Sequence, residues 1–252
     1  MHEGTVTALL WLLFGGTHVC LSARPVRRRL IGLLGEAGFV AVYSLVAIIT
    51  FAVLARYVAI HLFAESQPSL LATIPPVRGA LVALSVVGFS LFVTAVLLYP
   101  RLPMATFRHR VVAARGVQQV TRHPFFSGIA IWAGAHAFLA PSRVAFVFFI
   151  GVIVLAVVGG LHQDRRLIAE LGEPYRQYVA ATSFWPMMAV IAKRQRIAWR
   201  EQPWFAYGVG LGTSFALYQV HEHIFDHEGA YVIGAVTAGS IVAILNSRAR
   251  LT

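Results

Sequence analysis

Seven apolar runs divide this chain, at about residues 4–22, 37–63, 79–100, 124–140, 143–162, 204–220 and 229–247. An α-helix needs roughly 20 such residues to cross the hydrocarbon core of a bilayer, and the runs are near that length, the fourth being the shortest. With 58 % hydrophobic and only 12 % charged residues in 252, the composition excludes an ordinary water-soluble globule. In lipid every backbone polar group must be satisfied within the chain, so runs of this length are expected to be helices. The expected fold is an all-α polytopic transmembrane bundle of about seven spans. Residues 1–252 then form a single integral membrane domain in contact with the lipid bilayer.

Basic residues are retained on the cytoplasmic side of short loops, which tests the seven-run pattern. All but Arg56, Arg78 and Arg143 of the 21 lysines and arginines fall after the first, third, fifth and seventh runs. This asymmetry predicts an N-terminus outside and a C-terminus in the cytoplasm. The net charge of +11 is then a cytoplasmic surface facing anionic lipid, with no nucleic-acid partner implied. Met1-His2-Glu3 is not a cationic leader region, so the first run is expected to be retained as a span. The lone cysteine, Cys20, excludes an intramolecular disulfide and is expected on the cytoplasmic side.

Local signals punctuate the polar stretches. Pro141-Ser142-Arg143 predicts a tight hairpin between the fourth and fifth runs. In "DRRLIAELGEPYRQY" the first eight residues read as a helical continuation of the fifth run, Gly172 as a left-handed stop and Pro174 as a helical restart. Tyr175, Tyr178 and Val179 share a face of that short helix. Two readings stand for it: an interfacial helix with its tyrosines at headgroup depth, or the floor of a pocket under the bundle.

Histidines inside spans are expensive and point to pairing, metal ligation or proton paths. His18 and His136 lie within runs, whereas His123 and His162 sit at the cytoplasmic boundary and His61 at the outer end of the second run. A neutral imidazole ligates haem iron, and two from facing helices make a six-coordinate centre. From spacing alone, hydrogen bonding of each histidine to a neighbouring helix is the leading explanation. At 1.5 Å per residue His18 stands roughly 9 Å from Arg24, and His136 roughly 21 Å from Arg122, so axial ligation requires tilt or a submerged RHP segment. The polar run "HEHIFDHEG", with His221, Glu222, His223, Asp226 and His227, is a short connection whose polarity solvation explains without zinc.

Three blocks, in combination, carry a family likeness. The first is "GGTHVCLSARPVRRRLIGLLGEAGFVAVYSLV", with His18, Arg28, Gly35, Glu36, Tyr43 and Ser44. The second is "VTRHPFFSGIAIWAGAH", with Arg122, His123, Pro124, Gly128, Trp132 and His136. "DRRL", "LGE" and "TSFWP" close it, with Asp164, Arg165, Arg166, Gly172, Glu173, Thr182, Ser183 and Pro186. The chain thereby resembles NnrU-type bacterial membrane proteins, named for a link to nitrite and nitric oxide reduction, and through them plant zeta-carotene isomerase. The resemblance places an NnrU-like core in residues 1–190 and two additional spans in 191–252. It implies haem b held by His18 and His136, a redox or nitric-oxide-linked role in denitrification, and a multi-pass place in the bacterial inner membrane. The isomerase carries a cysteine three residues before its second histidine, where this chain has Ala133.

"RHPFFSG" and "LGEPYRQY" are also similar to membrane methyltransferases of the isoprenylcysteine carboxyl methyltransferase kind. That resemblance implies an S-adenosylmethionine pocket at the cytoplasmic face, lined by Arg122, His123, Gly128, Asp164, Gly172, Tyr175 and Tyr178, acting on a lipophilic or small substrate. The methyltransferases have a carboxylate pair where Gln163 and Asp164 stand here. A third reading is a noncatalytic membrane accessory protein in which Arg122 and Asp164 form an interhelical ion pair.

Overall fold

The computed structural model describes residues 2–63, 69–99, 111 and 113–221. Among these residues the regular elements are all helical: α1 Glu3–Ser22, α2 Arg24–His61, α3 Pro75–Leu97, α4 Val117–Val120, α5 Pro124–Leu139, α6 Arg143–Leu171, α7 Glu173–Ala181, α8 Met188–Ile191 and α9 Trp204–Gln219. Four of them, α1, α2 from Pro25 onward, α3 and α6, are long and apolar enough to cross a membrane, while α5 is apolar but shorter. The chain is therefore an all-helical, multi-pass membrane protein. The apolar run at 229–247, the run beyond His221 in "HEHIFDHEG", and Arg101, Arg108 and Arg110 lie outside the described residues.

Two helices extend past their apolar runs. α2 begins at Arg24 and is interrupted at Gly35 (φ 71°, ψ 171°), so the basic stretch after the first run is itself helical. α6 continues to Leu171, where Gly172 takes φ 67° and Pro174 lies in the first turn of α7, as the local signals predict. Glycine carries that left-handed φ without the clash a Cβ brings.

The chain divides into two compact units, residues 1–81 with 136–155 and residues 82–135 with 156–252. In the first, Trp11, Phe14, Leu54, Val58, Leu62, Val144 and Ala145 form a core. Trp11 lies flat against Gly151, where an added Cβ would stand 2.2 Å from the indole. The expected turn at Pro141-Ser142-Arg143 is tied down by Ser142 Oγ, which donates to the Leu62 carbonyl (2.5 Å) and accepts from the Ala145 N–H (3.2 Å).

The second unit relies on close backbone approach. Helices in lipid gain little from hiding apolar surface against each other, so small residues that bring backbones together supply the packing. Gly88 of α3 faces Gly128 of α5: an added Cβ at 128 would lie 2.6 Å from the Phe92 nitrogen and 2.8 Å from the Gly88 carbonyl oxygen. On α9, Gly210 meets the backbone of Ser90 in the same manner. Hydroxyls complete the α3–α9 contact, with Ser90 Oγ 3.1 Å from Ser214 Oγ and Thr94 Oγ1 donating to the Ala206 carbonyl at 3.3 Å.

Gly128→Ala is expected to overpack this contact and cost about 1–3 kcal/mol. Gly134→Ala, on the same helix with nothing within 4 Å of its added Cβ, is the control. The check is the Tm of both variants in detergent; equal Tm values for the two would count against the close approach.

Candidate functional site

The Arg122-His123-Pro124 segment lies between two short-range constraints. α4 ends at Val120, and Thr121 adopts extended backbone (φ −155°, ψ 140°). Pro124 then opens α5, a position that suits a residue with no N–H to donate. The turn is stitched to a strip sixty residues later. Arg122 N–H donates to the Ser183 carbonyl (2.9 Å), Thr121 Oγ1 to the Phe184 carbonyl (2.5 Å), and Met187 N–H to the Val120 carbonyl (2.8 Å). The "TRHP" and "TSFWP" motifs are thus two sides of one structure.

Asp164, on α6, is the hub of this structure. Arg122 Nε and Nη2 approach its Oδ2 at 3.0 and 2.9 Å. His123 Nε2 lies 2.8 Å from Oδ1, and Tyr175 Oη donates to the same oxygen at 2.8 Å. The residues are deeply covered, with side-chain exposures of 11 % for Arg122, 8 % for Asp164 and 0 % for His123. This pairing assigns the His123 hydrogen to Nε2, and its Nδ1 is buried without a hydrogen-bond partner. Phe126 and Phe184 rings lie against the imidazole, with centroids at 5.8 and 5.2 Å.

α7 folds back under this hub, and neither tyrosine is displayed at an interface. Tyr175 is 1 % and Tyr178 5 % exposed, in a core with Leu91, Val117 and Leu167. This corrects the headgroup-depth reading of α7, because the shared face of the helix turns toward Asp164. Burial raises both phenol pKa values above the ordinary range, and the Asp164 charge raises that of Tyr175 further. Both hydroxyls accordingly remain hydrogen-bond donors at neutral pH.

Of the residues assigned to a methyltransferase pocket, Arg122, His123, Asp164 and Tyr175 meet directly, and the Tyr178 ring lies tilted beside that of Tyr175 with centroids 5.6 Å apart. Gly128 instead forms the helix contact with Gly88, and Gly172 forms the bend before α7. Arg122 and Asp164 form the interhelical ion pair that the third reading expects.

A second polar network was not foreseen. Gln119 Nε2 donates to Glu201 Oε2 (3.0 Å), while its Oε1 accepts from Ala198 N–H (2.8 Å) and Gln202 Nε2 (3.0 Å). Gln202 in turn donates to the Gly116 carbonyl (3.2 Å) and accepts from Tyr207 Oη (2.9 Å). The consecutive Gln118-Gln119 pair just ahead of "TRHP" was the available signal. Amides beside an apolar segment demand partners.

The two span histidines both lie in the first unit, and both are partly buried. On α1, His18 has both ring nitrogens near Tyr43 Oη, Nε2 at 2.8 Å and Nδ1 at 3.2 Å. Phe14 lies 5.6 Å from the same imidazole. His136, in the last turn of α5, packs on Phe149 at 5.0 Å. A file of ring contacts, Phe14 to Trp11 to Phe148 to Phe149, runs between these two environments at spacings of 5.4 to 5.7 Å.

Removing one partner of a buried ion pair strands the other, so Asp164→Ala is expected to cost about 3–5 kcal/mol. Arg122→Ala combined with Asp164→Ala should cost less than the two single losses together. A double-mutant cycle by thermal unfolding in detergent checks both statements. Tyr178 gives a pH expectation. Its raised pKa means that the folded chain holds this proton more tightly than the unfolded chain. The resulting stability is fully present below about pH 10 and is lost as pH rises toward the folded value. Tm measured across that range should fall more steeply for the parent than for Tyr178→Phe.

Comparison with known proteins then places the chain. Residues 6–228 match the family described as NnrU protein. Over 119 residues the chain is 33 % identical to the chloroplastic 15-cis-zeta-carotene isomerase of Zea mays, covering 43 % of this chain and 31 % of that protein. Over 198 residues it is 28 % identical to the chloroplastic 15-cis-zeta-carotene isomerase of Arabidopsis thaliana, covering 74 % of this chain and 50 % of that protein. The chain therefore spans 31 % and 50 % of the length of these curated relatives. No solved structure matches. A match that runs over residues 6–228, most of the chain, means that this chain belongs to the NnrU family.

Proposed function

We propose that this protein is a haem-binding membrane protein of the NnrU family, with His18 and His136 as the ligating residues and a redox or nitric-oxide-linked role. The observation that carries the reading is the His18–Tyr43 pair. Both imidazole nitrogens lie within reach of one phenol oxygen, so a small turn of the ring leaves one nitrogen held and the other free to ligate. Ligating histidines commonly donate their second nitrogen to such a partner, which sets tautomer and orientation. His136 offers a second imidazole in the same unit. The aromatic surroundings of both, Phe14 and Phe149, suit a flat apolar macrocycle.

Held by His18 and His136, haem b would supply an iron that changes oxidation state or, where one imidazole gives way, takes a small diatomic ligand. The chain's own contributions are then distinct. Tyr43 orients His18, Phe14 shields its face, and Trp11 keeps the surroundings apolar. The relatives are named for a carotene substrate, which favours a lipophilic substrate reached from within the bilayer. The clustering of basic residues after alternate apolar runs supports seven spans with the N-terminus outside, in the bacterial inner membrane. In this reading the Asp164 hub is a clamp that ties the "TRHP" turn and α7 to α6.

The test is the absorption spectrum of the detergent-purified protein, oxidised and reduced, after expression with added haem precursor. A stoichiometric Soret band with sharp reduced α and β bands is expected, lost in His18→Ala and in His136→Ala. Tyr43→Phe should retain the band with haem affinity lowered about 10–100-fold. A folded, colourless parent protein would overturn the proposal and direct attention to S-adenosylmethionine binding at the hub.

A further inference from the structure

The segment that follows α7 gathers large apolar and aromatic side chains on its surface. Between residues 185 and 205, Ile191 is 70 %, Trp199 65 % and Phe205 85 % exposed, with Met188 and Trp204 also on the surface. This display is built. α8 is anchored from within by Ala189, 1 % exposed, whose N–H donates to Ser183 Oγ at 3.0 Å. The residues flanking α8, Met187 (φ 65°) and Lys193 (φ 57°), hold left-handed backbone that persists only where the surroundings impose it. Trp199 and Trp204 stack nearly parallel, 6.1 Å apart, and Trp204 Nε1 donates to the Trp199 carbonyl at 3.1 Å.

Charge completes the pattern. Lys193, Arg196 and Arg200 are exposed and enter no ion pair among the described residues. Arg194 is committed instead to the end of α7, donating to the carbonyls of Ala180 and Thr182. The one carboxylate of the segment, Glu201, accepts from Gln119 Nε2. Exposed tryptophans and aliphatic side chains beside uncommitted cations match the boundary layer of an anionic leaflet. Apolar groups enter the acyl region there, indoles lie at headgroup level and cations meet phosphates.

We propose that residues 185–205 form a docking surface for anionic phospholipid headgroups, lying in the plane of the membrane interface. A second copy of this chain would set the same cations against one another, which makes lipid phosphate the complementary occupant. This inference is independent of haem.

Nitroxide labels at Met188→Cys and Phe205→Cys, each in full-length protein carrying Cys20→Ser, test it in nanodiscs of phosphatidylcholine alone or mixed with phosphatidylglycerol. In the mixed discs both labels should collide readily with oxygen and poorly with a water-soluble nickel chelate. Combined Lys193→Gln, Arg196→Gln and Arg200→Gln should raise nickel access there to the level in phosphatidylcholine, each lost cation weakening docking roughly fivefold. High salt should do the same to the unsubstituted surface, which keeps the test decisive if the triple variant fails to fold. Free nickel access in both lipids would overturn the proposal. Equal protection in both would remove its anionic selectivity and overturn it also. Dipolar coupling between labels on neighbouring chains would assign the surface to self-association instead.

Discussion

An ionised carboxylate survives inside a helical membrane protein only where cations and hydrogen-bond donors replace the water it has lost. Asp164 meets that demand with Arg122 on one oxygen and His123 and Tyr175 on the other. The partners arrive on two pieces of chain: Arg122 and His123 on the turn before α5, and Tyr175 on the helix that folds back after Gly172. The demand of one buried charge therefore dictates where α6, α7 and the "TRHP" turn meet. The backbone bonds from Arg122 and Thr121 to Ser183 and Phe184 follow from the same placement. Such a hub specifies an arrangement more than it stabilises one, since the attraction is offset by the cost of drying both charges.

The rest of the second unit shows how helices hold together where burial from water gives little drive. Gly88, Gly128 and Gly210 let backbones approach, and Ser90, Thr94 and Ser214 add hydroxyl contacts across the same faces. In the first unit the task falls to aromatic packing, with Trp11 lying on Gly151 and Phe14 between Trp11 and His18. The proposed ligating histidines stand in that aromatic environment.

Much of the architecture was legible one element at a time. Apolar runs announced the long helices, Gly172 and Pro174 announced the bend and restart, and Ser142 lay in a turn readable from its neighbours. Even the Arg122–Asp164 pair was foreseeable, because a charge of each sign near the same boundary of an apolar bundle needs a partner. The Gln119–Gln202 network was not, nor was the use of Tyr43 as the partner of His18, because each joins residues whose local patterns say nothing of the other. The two readings of the amphipathic face of α7 stayed open for a related reason. Two tyrosines on one face suit a lipid headgroup layer or a protein interior equally, and only the position of Asp164 decides between them.

By itself the sequence determined what depends on composition and near neighbours: a helical, membrane-spanning chain, its punctuation, and a family pattern in its polar residues. Hydrophobic length and backbone propensity act over a few turns, so they can be read without knowing the fold. Tertiary structure alone decided which polar groups satisfy one another, because hydrogen bonds and ion pairs act within about 3 Å. That range is met only when segments tens of residues apart, such as Arg122 with Asp164 or Thr121 with Phe184, are packed together.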